Sequence, residues 1–140
     1  MLGPSSTADC NFFYIPTVYT PNAHMDRLRV EHFLPLTPIA FEILLALADG
    51  EQHGYRIMQE VNSRSGGAVT LHAGTLYRAL ARLLEQALIE ELAERPAEDD
   101  ERRRYYRITR FGSSVASAEA ARLAELVADA RARKLLKGRA

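Results

Sequence analysis

Residues 72–92 read HAGTLYRALARLLEQALIEEL, and this stretch combines a short amphipathic helix with an extended segment that follows it directly. At about 100° per residue, one arc of the helix is apolar and contains Leu76, Leu80, Leu83 and Leu84. The opposite side carries Thr75, Arg78 and Arg82. This pattern predicts a helix that buries one face in a core and leaves the other face open to a partner.

The segment before this helix predicts a buried helix over residues 38–48, PIAFEILLALA. Thr37 and Pro38 form a typical helix start, because the threonine side chain can accept a hydrogen bond from a free amide and proline is tolerated at the first helical position. The run is apolar on almost every side, which indicates burial. Gly50 is expected to end this helix.

A second helix is predicted from His53 to about Arg64, and residues 65–67, SGG, end it. Its inward-facing residues, at intervals of three, are expected to be Tyr55, Met58 and Val61. Residues 68–71 are interpreted as a minimal strand. Three short helices with a tight connection between the last two indicate a helix-turn-helix arrangement.

After residue 88 the apolar residues recur with a period near two in LIEELAERP, residues 88–96. The same period returns in RRRYYRIT, residues 102–109, after the turn-like PAEDDE, residues 96–101. Two such segments around a turn predict a hairpin, with Tyr106 and Ile108 on the face that packs against the helices. The expected fold is therefore mainly α with a small β-hairpin, a winged helix-turn-helix.

A long final helix is predicted after Thr109, which can cap it, to about Lys137. At 1.5 Å per residue it would be roughly 40 Å long, which exceeds what a small domain needs for closure. Its apolar stripe consists of Leu123, Leu126, Val127 and Ala130. We expect this stripe to pair with the same helix of a second copy as a homodimer; the alternative is that it folds back across the domain's own first helix.

Composition limits the other classes of protein. The 140 residues, 47% of them hydrophobic, suffice for one core, and 18 basic against 18 acidic side chains give no net attraction to a polyanion. The single Cys10 excludes an internal disulfide, and the sequence has no apolar run long enough for a membrane span and no secretory signal. We expect a cytoplasmic protein with a disordered or loosely docked arm (1–24), a winged helix-turn-helix domain (25–109) and a dimerisation helix (110–140).

Three segments together resemble the PadR family of bacterial transcriptional regulators: PLTPIAFEILLALADGEQHGYRIMQEV (35–61), GTLYRALARLLEQALIEE (74–91) and ERRRYYRITRFG (101–112). The similarity covers about Pro35 to Leu136. It implies a winged helix-turn-helix DNA-binding domain, a C-terminal dimerisation helix in the shorter of the family's two architectures, and repression relieved by a small molecule. Members usually carry glycine where this chain has Ala87. If that position is left-handed, alanine there costs roughly 1 kcal/mol of stability relative to glycine.

Two groups of residues are candidates for DNA contacts. On the helix, Thr75, Arg78 and Arg82 can present donors to base edges, with Tyr77 on their flank, while His72 and the Gly74 amide can meet a phosphate. In the hairpin, Arg102, Arg103 and Arg104 can neutralise phosphates, although the acidic residues 98–101 precede them. The alternatives are an ordinary solvated helix face and a self-compensating loop.

No catalytic or metal site is predicted, because the four histidines lack ligand spacing and no serine lies in a nucleophile motif. The resemblance also implies an effector, here a small hydrophobic or aromatic molecule; Phe33, Phe41 and Tyr55 are possible lining residues, although core packing is the favoured role for each. The resulting hypothesis is a homodimeric repressor that binds an inverted-repeat operator. The alternatives are a winged helix used only for protein contacts and a dimer that sequesters a ligand without acting on DNA.

Overall fold

The structure is a computed structural model that describes residues 20–92 and 104–137, with side chains described from residue 24 onward. The described residues form five helices and three short strands. In chain order these are α1 (Thr20–His32), α2 (Pro38–Ala48), β1 (Gln52–His53), α3 (Gly54–Arg64), α4 (Ala73–Glu85), β2 (Ile89–Glu91), β3 (Tyr105–Ile108) and α5 (Arg110–Ala132). Helix α1 belongs to one compact unit and the elements from α2 to α5 belong to another.

Helix α1 was not predicted from the sequence. It begins at Thr20 and therefore includes the last five residues of the segment 1–24, for which we expected no regular structure. The side chains of Met25 and Leu28 are exposed on this helix. Residues 1–19, the rest of the predicted arm, lie outside the described residues.

Helix α2 forms the centre of the second unit, as its apolar sequence predicted. The side-chain oxygen of Thr37 accepts a hydrogen bond from the amide of Ala40 at 3.2 Å, so the predicted cap is present. The fully buried residues of the helix are Ile43, Leu44, Ala46 and Leu47. Together with the three buried leucines of α4 they make up half of the buried hydrophobic residues in the described part of the chain. Burial of each leucine or isoleucine side chain is worth about 1.5–3 kcal/mol.

Helices α3 and α4 form the predicted helix-turn-helix, with two local differences. Residues 68–71 are not a strand. The Asn62 side chain forms hydrogen bonds with both backbone groups of Leu71, because its Nδ2 donates to the Leu71 carbonyl and its Oδ1 accepts from the Leu71 amide. Tyr55 does not face inward; it is 55% exposed, since the buried face of α3 is formed by Gly54, Ile57 and Val61.

The sheet contains the predicted hairpin and one strand more. Strands β2 and β3 pair antiparallel with Ile89 opposite Ile108, and β1 adds to the other edge of β3, giving the order β1-β3-β2. Strand β1 has only two residues, too few for a recognisable period, and its His53 lies opposite Tyr105, whose ring it meets edge-on at 5.4 Å. Tyr106 is buried, as predicted, and burial raises the pKa of its hydroxyl.

Helix α5 is shorter than predicted and ends at Ala132 instead of about Lys137. The amide of Leu135 donates to the Ala130 carbonyl and that of Lys134 to the Arg131 carbonyl, while Lys134 itself adopts a φ of 62°. These are the two hydrogen bonds of a Schellman termination, which satisfies the last carbonyls of the helix. The helix is therefore about 34 Å long.

Candidate nucleic-acid interface

Helix α4 has the two faces that its sequence predicted. Leu76, Leu80 and Leu83 are at most 2% exposed, while the side chains of Arg78 and Arg82 lie on the surface. Leu84 and Thr75 are partly exposed at the margins. The burial of three leucines holds the helix firmly, so the orientation of the exposed arginines is set by the core beneath them.

The two arginines of α4 have no acidic partner among the residues that the structure describes. The ion pairs there involve other cations, and the contact of Arg78 is a long one, 3.5 Å from Nη2 to the hydroxyl oxygen of Thr75. By contrast, Arg64 on α3 is paired with both Glu42 and Glu60 at 2.7 Å. A guanidinium without a carboxylate keeps all its donors available for an external anion or base edge.

The N-terminus of α4 adds a second group of donors. His72 occupies the N-cap position with extended backbone angles, and its side chain makes no capping hydrogen bond. The next two residues, Ala73 and Gly74, are exposed. The first amides of a helix have no partner within the helix and carry its positive dipole end, so this end can bind an anion such as a phosphate.

Tyr77 packs on the neighbouring helix instead of standing free. A Cβ added to Gly54, the first residue of α3, would lie 2.8 Å from the hydroxyl of Tyr77 and 3.2 Å from two of its ring carbons. The ring is nevertheless 50% exposed. The close approach of Tyr77 thus explains the glycine at position 54, and this contact fixes the distance between α3 and α4 at their exposed edge.

The turn after α4 is a second Schellman termination. The amide of Ala87 donates to the Leu84 carbonyl and that of Leu88 to the Leu83 carbonyl, each at 3.0 Å. Ala87 has a φ of 61°, the left-handed conformation that glycine adopts without strain. The helix therefore ends at the position where glycine was expected, and alanine occupies it at an energetic cost.

Thr109 joins this turn to the start of α5. Its hydroxyl donates to the Ala87 carbonyl at 2.7 Å and accepts from the Gly112 amide at 2.9 Å, so it caps α5, as predicted, and also satisfies the end of α4. A Cβ on Gly112 would overlap the carbonyl oxygen of Leu88. The spacing Thr-x-x-Gly thus has a physical reason, because only glycine lets α5 approach the α4–β2 turn this closely.

The wing, strands β2 and β3 with their connection, is described only at its base. Arg104 is exposed and lies 3.9 Å from Glu91, while Arg107 forms a 2.8 Å ion pair with Glu90. Exposed pairs of this kind are worth at most about 1 kcal/mol, so they leave Arg104 available to a stronger anion. Arg102 and Arg103, the other predicted wing contacts, lie outside the described residues.

The described parts of the chain show two further features. An open groove of about 320 Å³ lies beside β1 and the start of α3, lined by Asp49, Gly50, Glu51, Gln52, His53, Arg56 and Tyr105. Within residues 20–92 and 104–137, no helix is long and apolar enough to cross a bilayer, and no three His, Cys, Asp or Glu side chains are grouped as metal ligands would be.

Comparison with known proteins identifies the family. The profile described as "Transcriptional regulator PadR-like family" matches residues 43–118, more than half of the chain. The chain belongs to this family. Its matched part runs from the middle of α2 into α5 and contains both the exposed face of α4 and the Thr109 junction. The protein is accordingly a PadR-like transcriptional regulator, which agrees with the predicted absence of enzymatic function.

Two curated relatives are similar over the same part. An uncharacterised protein of Lysinibacillus sphaericus is 32% identical over 75 residues, which cover 54% of this chain and 68% of that protein. A 37.1 kDa protein of a Streptomyces fradiae transposon is 39% identical over 84 residues, 60% of this chain but only 22% of that protein. The second relative is thus a much longer protein with a PadR-like part.

Solved structures of PadR-like regulators share the fold. A transcriptional regulator from Clostridium thermocellum matches with a TM-score of 0.57 and 23% identity over 86% of this chain and 100% of its own. A PadR family regulator from Clostridium difficile matches with a TM-score of 0.59 and 23% identity, covering 68% and 96%. Bacillus subtilis PadR in complex with operator DNA matches with a TM-score of 0.52 and 21% identity, over 60% of this chain and 47% of its own. These likenesses confirm the winged-helix fold.

Proposed function

We propose that this PadR-like regulator binds an operator in double-stranded DNA by placing α4 in the major groove. The observation that carries the proposal is the exposed face of α4, where Arg78 and Arg82 have no acidic partner among the described residues and a row of buried leucines fixes the helix behind them. Arginine pairs well with guanine O6 and N7, and Thr75 can serve either as donor or acceptor. The fold likeness to a PadR crystallised with operator DNA supports the same use.

The contacts to the DNA backbone are assigned to the edges of this face. His72 and the amide of Gly74 meet one phosphate at the start of α4, and the hydroxyl of Tyr77 meets another beside Gly54. Arg104, with Arg102 and Arg103, contacts phosphates from the wing. Because the chain as a whole carries no net charge, this local set must supply the electrostatic attraction.

The regulator acts as a homodimer in this proposal. On α5, Leu126 is 52% exposed and Val127 is 42% exposed, and Leu123 and Ala130 are partly exposed on the same stripe. A partly exposed apolar stripe of this length is typical of a dimerisation helix. Two copies related by a two-fold axis would present two α4 helices about one DNA turn apart, roughly 34 Å, so the operator should be an inverted repeat.

We further propose that the protein is a cytoplasmic repressor that a small hydrophobic or aromatic effector releases. Tyr55 cannot contribute the inward-facing ring that we expected, since it is exposed on α3. A switch of this kind requires that effector and operator weaken each other's binding by the same factor. An effector that binds without changing DNA affinity would favour the alternative of a sequestering dimer.

Fluorescence anisotropy with the DNA upstream of the protein's own gene tests the proposal. Arg78→Met should weaken binding by about 1–3 kcal/mol, roughly five- to 150-fold, and should reduce discrimination against an unrelated duplex. Arg133→Met is the matched control, because it removes the same charge beyond the end of α5. Equal affinity of native protein and Arg78→Met would remove α4 from the interface, and equal binding to all duplexes would favour a protein-interaction module.

A further inference from the structure

A buried carboxylate lies where α5 leaves the DNA-binding domain. Glu119 is 2% exposed and is the last buried residue of α5, since none of the described residues from 120 to 137 is buried. Its two oxygens accept hydrogen bonds from Nε and Nη2 of Arg122, both at 2.8 Å, in a bidentate pair. The operator-binding proposal makes no use of these residues.

The carboxylate of Glu119, and not its pair with Arg122, faces the segment before α2. Arg122 lies one turn away on the same helix, so it orients the carboxylate without joining two elements. The hydrogen bond from Arg122 is the largest cause that keeps the pKa of Glu119 below its usual value, although burial acts in the opposite direction. The backbone N–H of Leu36, which faces the same carboxylate, makes the smallest contribution. Glu119 thus stays ionised at neutral pH and makes a directional contact with the DNA-binding domain.

An apolar side chain could fill this buried position without the desolvation penalty of a charge. Removing a charge from water costs several kcal/mol, and a bidentate partner and an amide offset this cost only if their geometry is good. Buried ion pairs can often be replaced by hydrophobic residues without loss of stability. A leucine packs without a preferred direction and would allow several helix orientations. A carboxylate that accepts hydrogen bonds from an arginine and an amide is held in one orientation. The sequence around it, AEAARLAEL (118–126), offers α5 mostly small side chains that would permit several helix angles.

We propose that Glu119 and Arg122 are positioning residues that fix the angle of α5 against the DNA-binding domain and thereby set the half-site separation that the dimer recognises. The second part rests on the proposed function. Residues 120–132 extend about 20 Å beyond Glu119, so a change of about 10° at Glu119 moves the end of the helix by about 3.5 Å. That distance is close to the rise of one base pair, about 3.4 Å.

The first experiment measures affinity for inverted repeats whose spacers differ by one base pair. The native dimer should prefer one spacer at least tenfold over its neighbours, and Glu119→Gln should lower that preference to less than threefold while the dimer mass and helix content stay the same. Glu125→Gln is the matched control, because it removes an exposed carboxylate from the same helix. A Glu119→Gln dimer that keeps the spacer preference, or that weakens on every spacer by the same factor, would overturn the proposal.

The second experiment does not need DNA. Spin labels at the exposed positions Ser63 on α3 and Ala128 on α5, in a chain whose single Cys10 is replaced by serine and which is diluted with unlabelled protein, report the distance within one protomer. The distribution should be narrow with Glu119 and clearly broader with Glu119→Gln. An unchanged width contradicts the positioning role, whereas broadening in a protein that binds no operator refutes only the proposed function.

A third variant covers the case in which Glu119→Gln does not fold. Arg122→Lys keeps the positive charge but cannot form the bidentate pair, so it should broaden the same distance distribution to a smaller extent and lower the spacer preference partway. A distribution as narrow as that of the native protein would count against the proposal.

Discussion

Replacing Ala87 by glycine should stabilise the protein, because this residue holds the left-handed position that ends α4. Its φ of 61° lies in the region where the Cβ of an L-residue approaches the following carbonyl oxygen. The hydrogen bonds of the termination, Ala87 to Leu84 and Leu88 to Leu83, involve backbone atoms alone and remain in the variant. The side chain of Ala87 is exposed, so its removal opens no cavity.

Two opposing terms set the magnitude. Relief of the left-handed conformation is worth about 1–2 kcal/mol, and the larger conformational freedom of glycine in the unfolded chain takes back about 0.4–1 kcal/mol. The net gain should be about 0.5–1 kcal/mol, which corresponds to a rise in Tm of roughly 2–4 °C for a chain of this size.

Thermal and urea unfolding followed by circular dichroism at one fixed protomer concentration measures this gain, since the stability of a dimer depends on concentration. Ala81→Gly, also exposed but in the interior of α4, is the matched control and should lose about 0.5–1 kcal/mol. If Ala87→Gly destabilises the protein as Ala81→Gly does, the end of α4 is not left-handed in solution and our account of the turn is refuted.

Three further predictions concern α5. Gly112→Ala should lose several kcal/mol in a urea titration, since its Cβ would overlap the Leu88 carbonyl oxygen, whereas Ser113→Ala should change stability by less than about 0.5 kcal/mol. Leu126→Glu should shift sedimentation from dimer to monomer while the folded domain persists; a persistent dimer would move the interface away from this stripe. The pKa of Glu119 in the folded protein lies below its ordinary value of 4.5, so the stability that its carboxylate contributes is present above about pH 4.5. This stability is lost as the pH falls through the lower pKa of the folded state. The free energy of unfolding should therefore decrease less steeply at acid pH in Glu119→Gln than in the native protein.

Most of the fold was predictable because each helix from α2 to α5 has a strong local signal. The apolar run of α2 with its threonine cap, the leucine arc of α4 and the alternation in β3 each correspond to an observed element. The exposed arginines of α4 were predictable for the same reason, since residues on opposite sides of an amphipathic helix must differ in burial. The resemblance raised the left-handed conformation of Ala87 only as one of two ways for the helix to end, and the φ of 61° shows which of them is present.

The differences arise where distant residues decide the local structure. Strand β1 exists only because it pairs with β3, about fifty residues later, and two residues carry no period of their own. The strand expected at residues 68–71 is replaced by hydrogen bonds from the Asn62 side chain. Glu119 looks like any exposed helix glutamate in the sequence. Its burial depends on parts of the domain that are distant in the chain, which no local pattern indicates.

The most direct test of the central claim, that α4 reads DNA sequence, is a binding selection from randomised duplexes. Native protein should enrich an inverted repeat whose half-site centres are about one helical turn apart, and its affinity for that repeat should fall steeply with salt. Arg78→Met should enrich a motif with at least one base position relaxed, whereas Arg133→Met should enrich the native motif. A native protein that enriches no motif, or an Arg78→Met protein that enriches the same motif with the same affinity, would contradict the account.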